Sequence, residues 1–210
     1  MHLTRQDVTT KLPIPRKGTK YLARASSHLF ESVSVILAVR DMLKLARTAK
    51  EVRKMVQDKL LKINNVSVMD AHESIKLFNL FEADKLYRLS LLPTKKFTFE
   101  EIPSKDASKE LRLTKVRNKR LVSGGKTQLN LHDGSNVLTT EKIAVNDSLY
   151  LDKEGKIKKH LTIEKGKEAI VIAGKHTGKR GTIESLEGKI CHLKSHGGSI
   201  VVQTHQIVAL

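Results

Sequence analysis

The segment Ile172–Ile183, IAGKHTGKRGTI, sets Gly174, Gly178 and Gly181 among Lys175, His176, Lys179 and Arg180. Glycine adopts positive φ freely and lets the backbone come close to a phosphate, while the basic side chains supply its counter-charge. The chemistry open to such a segment is phosphate recognition, of a bound nucleotide or of a nucleic-acid backbone. A nucleotide-binding P-loop requires G-x-x-x-x-G-K-[ST] between a strand and a helix. Here Gly174 and Gly178 stand one residue too close, Arg180 occupies the place of the Ser/Thr that would hold magnesium, and the following run reads as a strand. A second glycine–lysine run, Gly125-Lys126-Thr127, fails because Arg120 sits where the first glycine is needed. Neither segment is built for ATP.

Other reactive side chains form no constellation. Among nine histidines, His192 and His196 stand at i, i+4, in a glycine-broken region without carboxylate or cysteine company for a metal. Asp70, Glu73 and Asp133 could each act as a general base, but none has a paired carboxylate or an activated nucleophile beside it. One cysteine, Cys191, excludes a disulfide framework and a thiolate metal cluster and fits a reduced, cytosolic setting. The expectation is a binding protein with no catalytic residue, metal, cofactor or small-molecule substrate.

Charge names the class of partner. The 210 residues hold 39 Lys+Arg against 22 Asp+Glu, a formal net charge of +17, and such an excess favours a polyanion. A membrane is the weaker candidate. The longest wholly apolar run in the N-terminal third, Val35–Val39, is cut off by Arg40-Asp41, whereas a span needs about 20 residues. The start, MHLTRQDVTT, lacks the apolar core of a signal peptide. Aromatic residues make up 4% with no Trp, so phosphate contact and shape recognition are expected to outweigh base stacking. Residues 1–60 carry 13 basic and 5 acidic residues and 115–160 carry 10 and 5, whereas 61–114 are nearly balanced at 9 and 8. The cationic surface is therefore concentrated in the first third and again near residue 117.

The elements that must position these groups follow from patterning. Residues 1–31, with Pro13, Pro15 and the bases Arg5, Arg16, Lys17 and Lys20, read as an extended basic arm. From Val33 the period becomes helical: Val35, Val39, Met42 and Ala46 share one face, and Arg40, Lys44 and Arg47 the other. Thr48 with Glu51 three residues on predicts a capping box. It opens a helix over 49–57 that buries Val52, Met55 and Val56 and displays Lys50, Arg53 and Lys54. KLLKINN then reads as a short strand closed by an Asn64-Asn65 turn. Beyond Val66 strands take over: SIKLFNLF, KLYRLSLL and KKFTFEEI, then a basic hairpin turned at Gly124-Gly125, then SLYLDKEGKIKKHL turned at Glu154-Gly155. The last 50 residues hold five short strand candidates, which suggests a small closed barrel beginning near residue 160. The expected fold class is α+β.

The order of these motifs carries a resemblance. SVSVILAVRDMLKLARTAKEVRKMVQDKLLKINN resembles the small RNA-binding domain named after ribosomal protein four. IAGKHTGKRGTIESLEG looks like a KOW motif, the glycine-lysine loop of small RNA-binding barrels. RNKRLVSGGKTQLNLHDGSNVL, together with PIPRKG in the arm, is similar to the e-type small-subunit ribosomal protein four family of archaea and eukaryotes. The resemblance covers essentially the whole chain and implies four parts: the arm (1–31), the RNA-binding module of two helices and strands (32–75), a central β-rich domain (76–160) and the KOW barrel (161–210). It implies a cytoplasmic, ribosome-associated protein that is a monomer within the small subunit, contacts ribosomal RNA and neighbouring ribosomal proteins, and catalyses nothing. The RNA-facing residues would be Arg5, Arg16, Lys17, Lys20, Arg40, Lys44, Arg47, Lys50, Arg53, Lys54 and Lys59 in the first third. The middle would add Lys115, Arg117, Lys119, Arg120, Lys126, Gln128, Asn130 and His132, and the barrel Gly174, Lys175, His176, Gly178, Lys179, Arg180 and Gly181. Lys59 departs from the family's glycine after the second helix, and Asn64-Asn65 from its Asp-Gly turn. The short C-terminus favours an archaeal source over a reduced eukaryotic one. The competing classes are an RNA-modifying enzyme that uses the N-terminal module to hold its substrate, and a KOW-type transcription elongation factor.

Overall fold

The computed structural model describes residues 2–103, 111–122, 124–195 and 198–210. The chain divides into two compact units, Met1–Glu110 and Leu111–Leu210. Strands dominate both, with few helices, so the α+β class holds in its coarse form.

In the first unit, β1 (Leu3–Thr4) and β2 (Tyr21–Leu22) pair antiparallel, so the arm doubles back rather than running out extended. Apolar anchorage explains the return: Leu3 and Leu12 are buried, and the Phe97 N–H donates to the Lys11 carbonyl at 2.8 Å. Next come β3 (Ser32–Ser34), α1 (Val35–Leu37) and a π-helical turn over Ala38–Met42. The helix expected to run to Arg47 thus stops early. The Leu43 N–H reaches back five residues to Ala38 and the Leu45 N–H six residues to Val39, around Lys44 at φ 57°. Ser32 through Val39 are all buried, so no solvent-facing stripe exists there to sustain an amphipathic helix.

The second helix, α2 (Ala49–Gln57), forms as its sequence dictates. Lys59 at φ 54° ends it: its N–H bonds Val56 and the Leu60 N–H bonds Met55, the paired bonds of a Schellman stop. Left-handed backbone costs a side-chain-bearing residue roughly 1–2 kcal/mol. The hairpin β4 (Lys62–Ile63) and β5 (Val66–Ser67) turns at Asn64-Asn65, with φ 50° and 70°, the positive-φ pair that such a two-residue turn needs. SIKLFNLF forms two strands, β6 (Ser74–Lys76) and β7 (Leu80–Glu82), parted at Phe78 with φ 65°. Then come β8 (Leu86–Leu91) and β9 (Phe97–Glu101). β3 pairs with β6, and the larger sheet runs β5-β4-β7-β8-β9. Ile36, Leu37, Leu61, Ile75, Phe81 and Leu89 are fully buried, each contributing about 1.5–3 kcal/mol.

The second unit holds two five-stranded antiparallel sheets. The first comprises β10 (Arg112–Val122), β11 (Lys126–Leu131), β12 (Asn136–Thr139), β13 (Ser148–Leu151) and β14 (Ile157–Leu161), in the order β12-β11-β10-β13-β14. Its core is Val116, Leu129, Leu131, Ile143, Leu149 and Leu151. The second comprises β15 (Glu168–Val171), β16 (Arg180–Glu187), β17 (Ile190–Ser195), β18 (Gly198–Gln203) and β19 (Ile207–Ala209), in the order β18-β17-β16-β15-β19. Apolar side chains from all five converge: Ala169, Val171, Ile183, Cys191, Leu193, Ile200, Val202 and Ile207. The two sheets meet where the Ala209 N–H donates to the Ser148 hydroxyl at 2.9 Å.

Candidate nucleic-acid interface

Arg16, Lys17 and Lys20 are exposed on the arm, Lys20 with its Nζ 5.4 Å from the Tyr21 ring centroid. Arg5 serves a different purpose. Its Nε donates to the Thr19 carbonyl at 2.8 Å, its Nη2 to the Thr19 hydroxyl, and its Nη1 to the Pro15 carbonyl. The guanidinium closes the loop that displays the other three bases.

The expected stripe of Arg40, Lys44 and Arg47 does not lie on one helix. Arg40, in the π turn, grips its neighbour: Nε and Nη2 donate to the two Asp41 oxygens at 2.9 and 2.7 Å, and that bond raises the guanidinium pKa further. Lys44 and Arg47 are exposed on the connection to α2. There Thr48 caps the helix, the Glu51 N–H donating to its hydroxyl. Glu51 also accepts from the Arg47 N–H at 2.9 Å and from the Thr48 hydroxyl at 2.8 Å, and these bonds hold its carboxyl below the usual carboxylate range. Lys50, Arg53 and Lys54 are exposed on α2, and Lys59 just past its end. Lys50, Arg53, Lys54 and Gln57 follow the i, i+3, i+4, i+7 spacing of one helical stripe.

The register of β10 and β11 sorts the central residues. Asn118 pairs with Asn130, Arg120 with Gln128 and Val122 with Lys126, while Asn136 and Leu138 of β12 oppose Asn130 and Gln128. Opposed residues share a face, so Arg120, Lys126, Gln128 and Asn130 come together with Asn118 and Asn136. The latter two were missed from the sequence; extending the two-residue alternation across the turn would have found them. Lys119 lies on the opposite face beside Leu129, its Nζ donating to the Ile143 carbonyl at 3.3 Å. Arg117, exposed, falls where the register shifts between Val116 and Asn118. His132 is half-buried. Ser123, within the turn, lies outside the described residues.

Lys115 is the clear correction. It is 5% exposed, and its Nζ donates to the carbonyls of Thr204 (2.9 Å) and Ile207 (2.7 Å). It tethers the C-terminal sheet instead of facing solvent, and burial pulls its pKa down to about 7.

In the glycine-lysine loop, Lys175, Lys179 and Arg180 are exposed and His176 half-buried, over a scaffold of local bonds. The Thr177 hydroxyl donates to the Gly174 carbonyl at 2.6 Å and the Gly178 N–H to Val171 at 2.7 Å. Gly178 is buried at φ 87°, a position suited to glycine alone. Gly181 has another purpose: a Cβ there would lie 2.5 Å from the Lys194 carbonyl oxygen, so its small size lets β16 and β17 pair closely. Of the pair His192/His196, the second lies outside the described residues.

These surfaces can bind a polyanion through cations backed by amides. Among the described residues no helix is long and apolar enough to cross a membrane. A family model described as "Ribosomal family S4e" matches residues 83–157. The chain is 32% identical over 194 residues to "Small ribosomal subunit protein eS4" of Archaeoglobus fulgidus, covering 89% of this chain and 80% of that one. It is 33% identical over 191 residues to the protein of the same name from Methanospirillum hungatei, covering 87% and 78%. A crystal structure of the 30S ribosomal protein S4e from Thermoplasma acidophilum superposes with a TM-score of 0.73 at 24% identity, over 86% of this chain and 95% of that one, and so shares the fold.

Proposed function

The chain belongs to the family of small ribosomal subunit protein eS4, a family of structural ribosomal proteins and not of enzymes, and from that we propose that it helps build the small subunit by holding ribosomal RNA. Three cationic surfaces do the holding. The first is the arm with α2 (Arg16, Lys17, Lys20, Lys50, Arg53 and Lys54), flanked by Lys44, Arg47 and Lys59. The second is the β10–β11 hairpin face, and the third the loop of Lys175, Lys179 and Arg180, on the small barrel into which we read the last 50 residues. We likewise read the chain as arm, RNA-binding module, central domain and barrel. Its place is the cytoplasmic ribosome, among ribosomal RNA and other ribosomal proteins.

The observation that carries this function is the hairpin register. It aligns two cations, Arg120 and Lys126, with four side-chain amides on one face. The cations meet phosphates, and the amides can both donate to and accept from base edges and 2′-hydroxyls. Each phosphate neutralised adds about −0.7 to −0.9 to the log–log slope of affinity against salt. Joint replacement Arg120→Ala and Lys126→Ala should therefore weaken binding to small-subunit ribosomal RNA and flatten that slope by about 1.4–1.8. Lys119→Ala, on the other face, should change it less. A double variant with the wild-type slope removes the hairpin from the interface.

A further inference from the structure

Three hairpins share one turn. In each, the residue before a three-residue loop donates its N–H to the residue after the loop, and the third loop residue donates back. The bonds are Leu131 to Ser135 with Gly134 to Leu131, Asp152 to Lys156 with Gly155 to Asp152, and Leu92 to Lys96 with Lys95 to Leu92. This is a three-residue loop whose last position is left-handed, where glycine is favoured. The chain uses Gly134 at φ 83° and Gly155 at φ 78° in two of them, and Lys95 at φ 66° in the third. Pro93 suits the first loop position by its fixed φ, so only Lys95 departs from what the turn asks for. Among the described residues neither Lys95 nor Lys96 has a side-chain partner, and both are exposed. The Phe97 N–H to Lys11 carbonyl bond brings a third lysine to the same end of the sheet, its Nζ 6.0 Å from the Phe97 ring centroid.

A strained residue with no side-chain partner among the described residues, placed where its own neighbours add like charge, would be offset by an external anion. We propose that Lys95, with Lys96 and Lys11, is a further contact for the ribosomal RNA backbone, although Lys95 and Lys96 lie in the segment 61–114, whose net charge is close to balanced. The proposal rests on the RNA-binding function above and adds a surface to it.

Replacing Lys95 with glycine should have effects of opposite sign on fold and binding. The full chain carrying Lys95→Gly should unfold at a higher denaturant midpoint, because the turn loses its strain. It should bind small-subunit ribosomal RNA several-fold more weakly at 0.15 M salt, with a log–log salt slope flatter by about 0.7–0.9. Lys95→Asn, which tolerates the same backbone conformation without the charge, should reproduce the loss of binding. Wild-type affinity and slope in both variants would overturn the site while leaving the other surfaces standing, and a lower midpoint for Lys95→Gly would overturn the strain on which it rests. If the wild-type chain itself bound this RNA no more tightly than an unrelated RNA of equal length, the parent function and the site would fall together.

Discussion

Lys115 shows how a single side chain can carry a pH dependence into a fold. Its amine lies between two backbone carbonyls with its pKa lowered by burial to about 7, against 10.5 in the unfolded chain. Above about pH 7 the unfolded chain therefore binds a proton that the native chain does not, and stability rises with pH, by up to about 1.4 kcal/mol per unit. The buried Cys191 thiol, its pKa raised by burial from 9.0, opposes this trend once the unfolded thiol ionises. The window is thus about pH 7 to 9. Denaturant midpoints should climb across that window, and Lys115→Met should flatten the climb; an equal climb in the variant would assign it to another group. Nothing in the sequence marks Lys115 as interior. RLTKVRNKR reads as a cationic run, and only the packing of a second sheet against β10 turns its fourth residue inward. Gly181 misled in the same way, since a glycine among lysines looks like phosphate chemistry until the neighbouring strand is known.

At the scale of elements, the features that formed as expected are those set by near neighbours. The helix cap needs Thr48 and Glu51 only, the Asn64-Asn65 turn two residues, and the hairpins an alternation interrupted by glycine. The five terminal strand segments were legible for the same reason. The run after Val33 was not, because Ser32–Val39 is buried on every side and apolar spacing then says little about where a helix ends. Arg40 likewise looked free until Asp41 was seen holding it. α2 presents the exposed cations and depends on its cap, so Thr48→Ala should destabilise the first unit by about 1 kcal/mol. Chemical denaturation followed by circular dichroism would measure this, and an unchanged midpoint would mean that tertiary packing alone holds the helix.

For the whole molecule the governing quantity is charge. A surplus of +17 repels itself in the free chain and is offset when phosphates replace condensed counterions. The sequence disclosed this surplus and its uneven spread, but not which cations are already engaged, since Arg5, Arg40, Lys115 and Lys119 all hold on to the protein itself. Binding that draws on several separate surfaces should be steep in salt, and the loss of a single lysine should weaken it without abolishing it. The most direct test is sedimentation of a lysate from the source organism through density gradients at moderate and at high salt, following this chain by an antibody. It should travel with small subunits and whole ribosomes at moderate salt and shift toward the top of the gradient as salt rises. A chain found free of ribosomal particles at moderate salt, or travelling with RNA polymerase, would contradict the account.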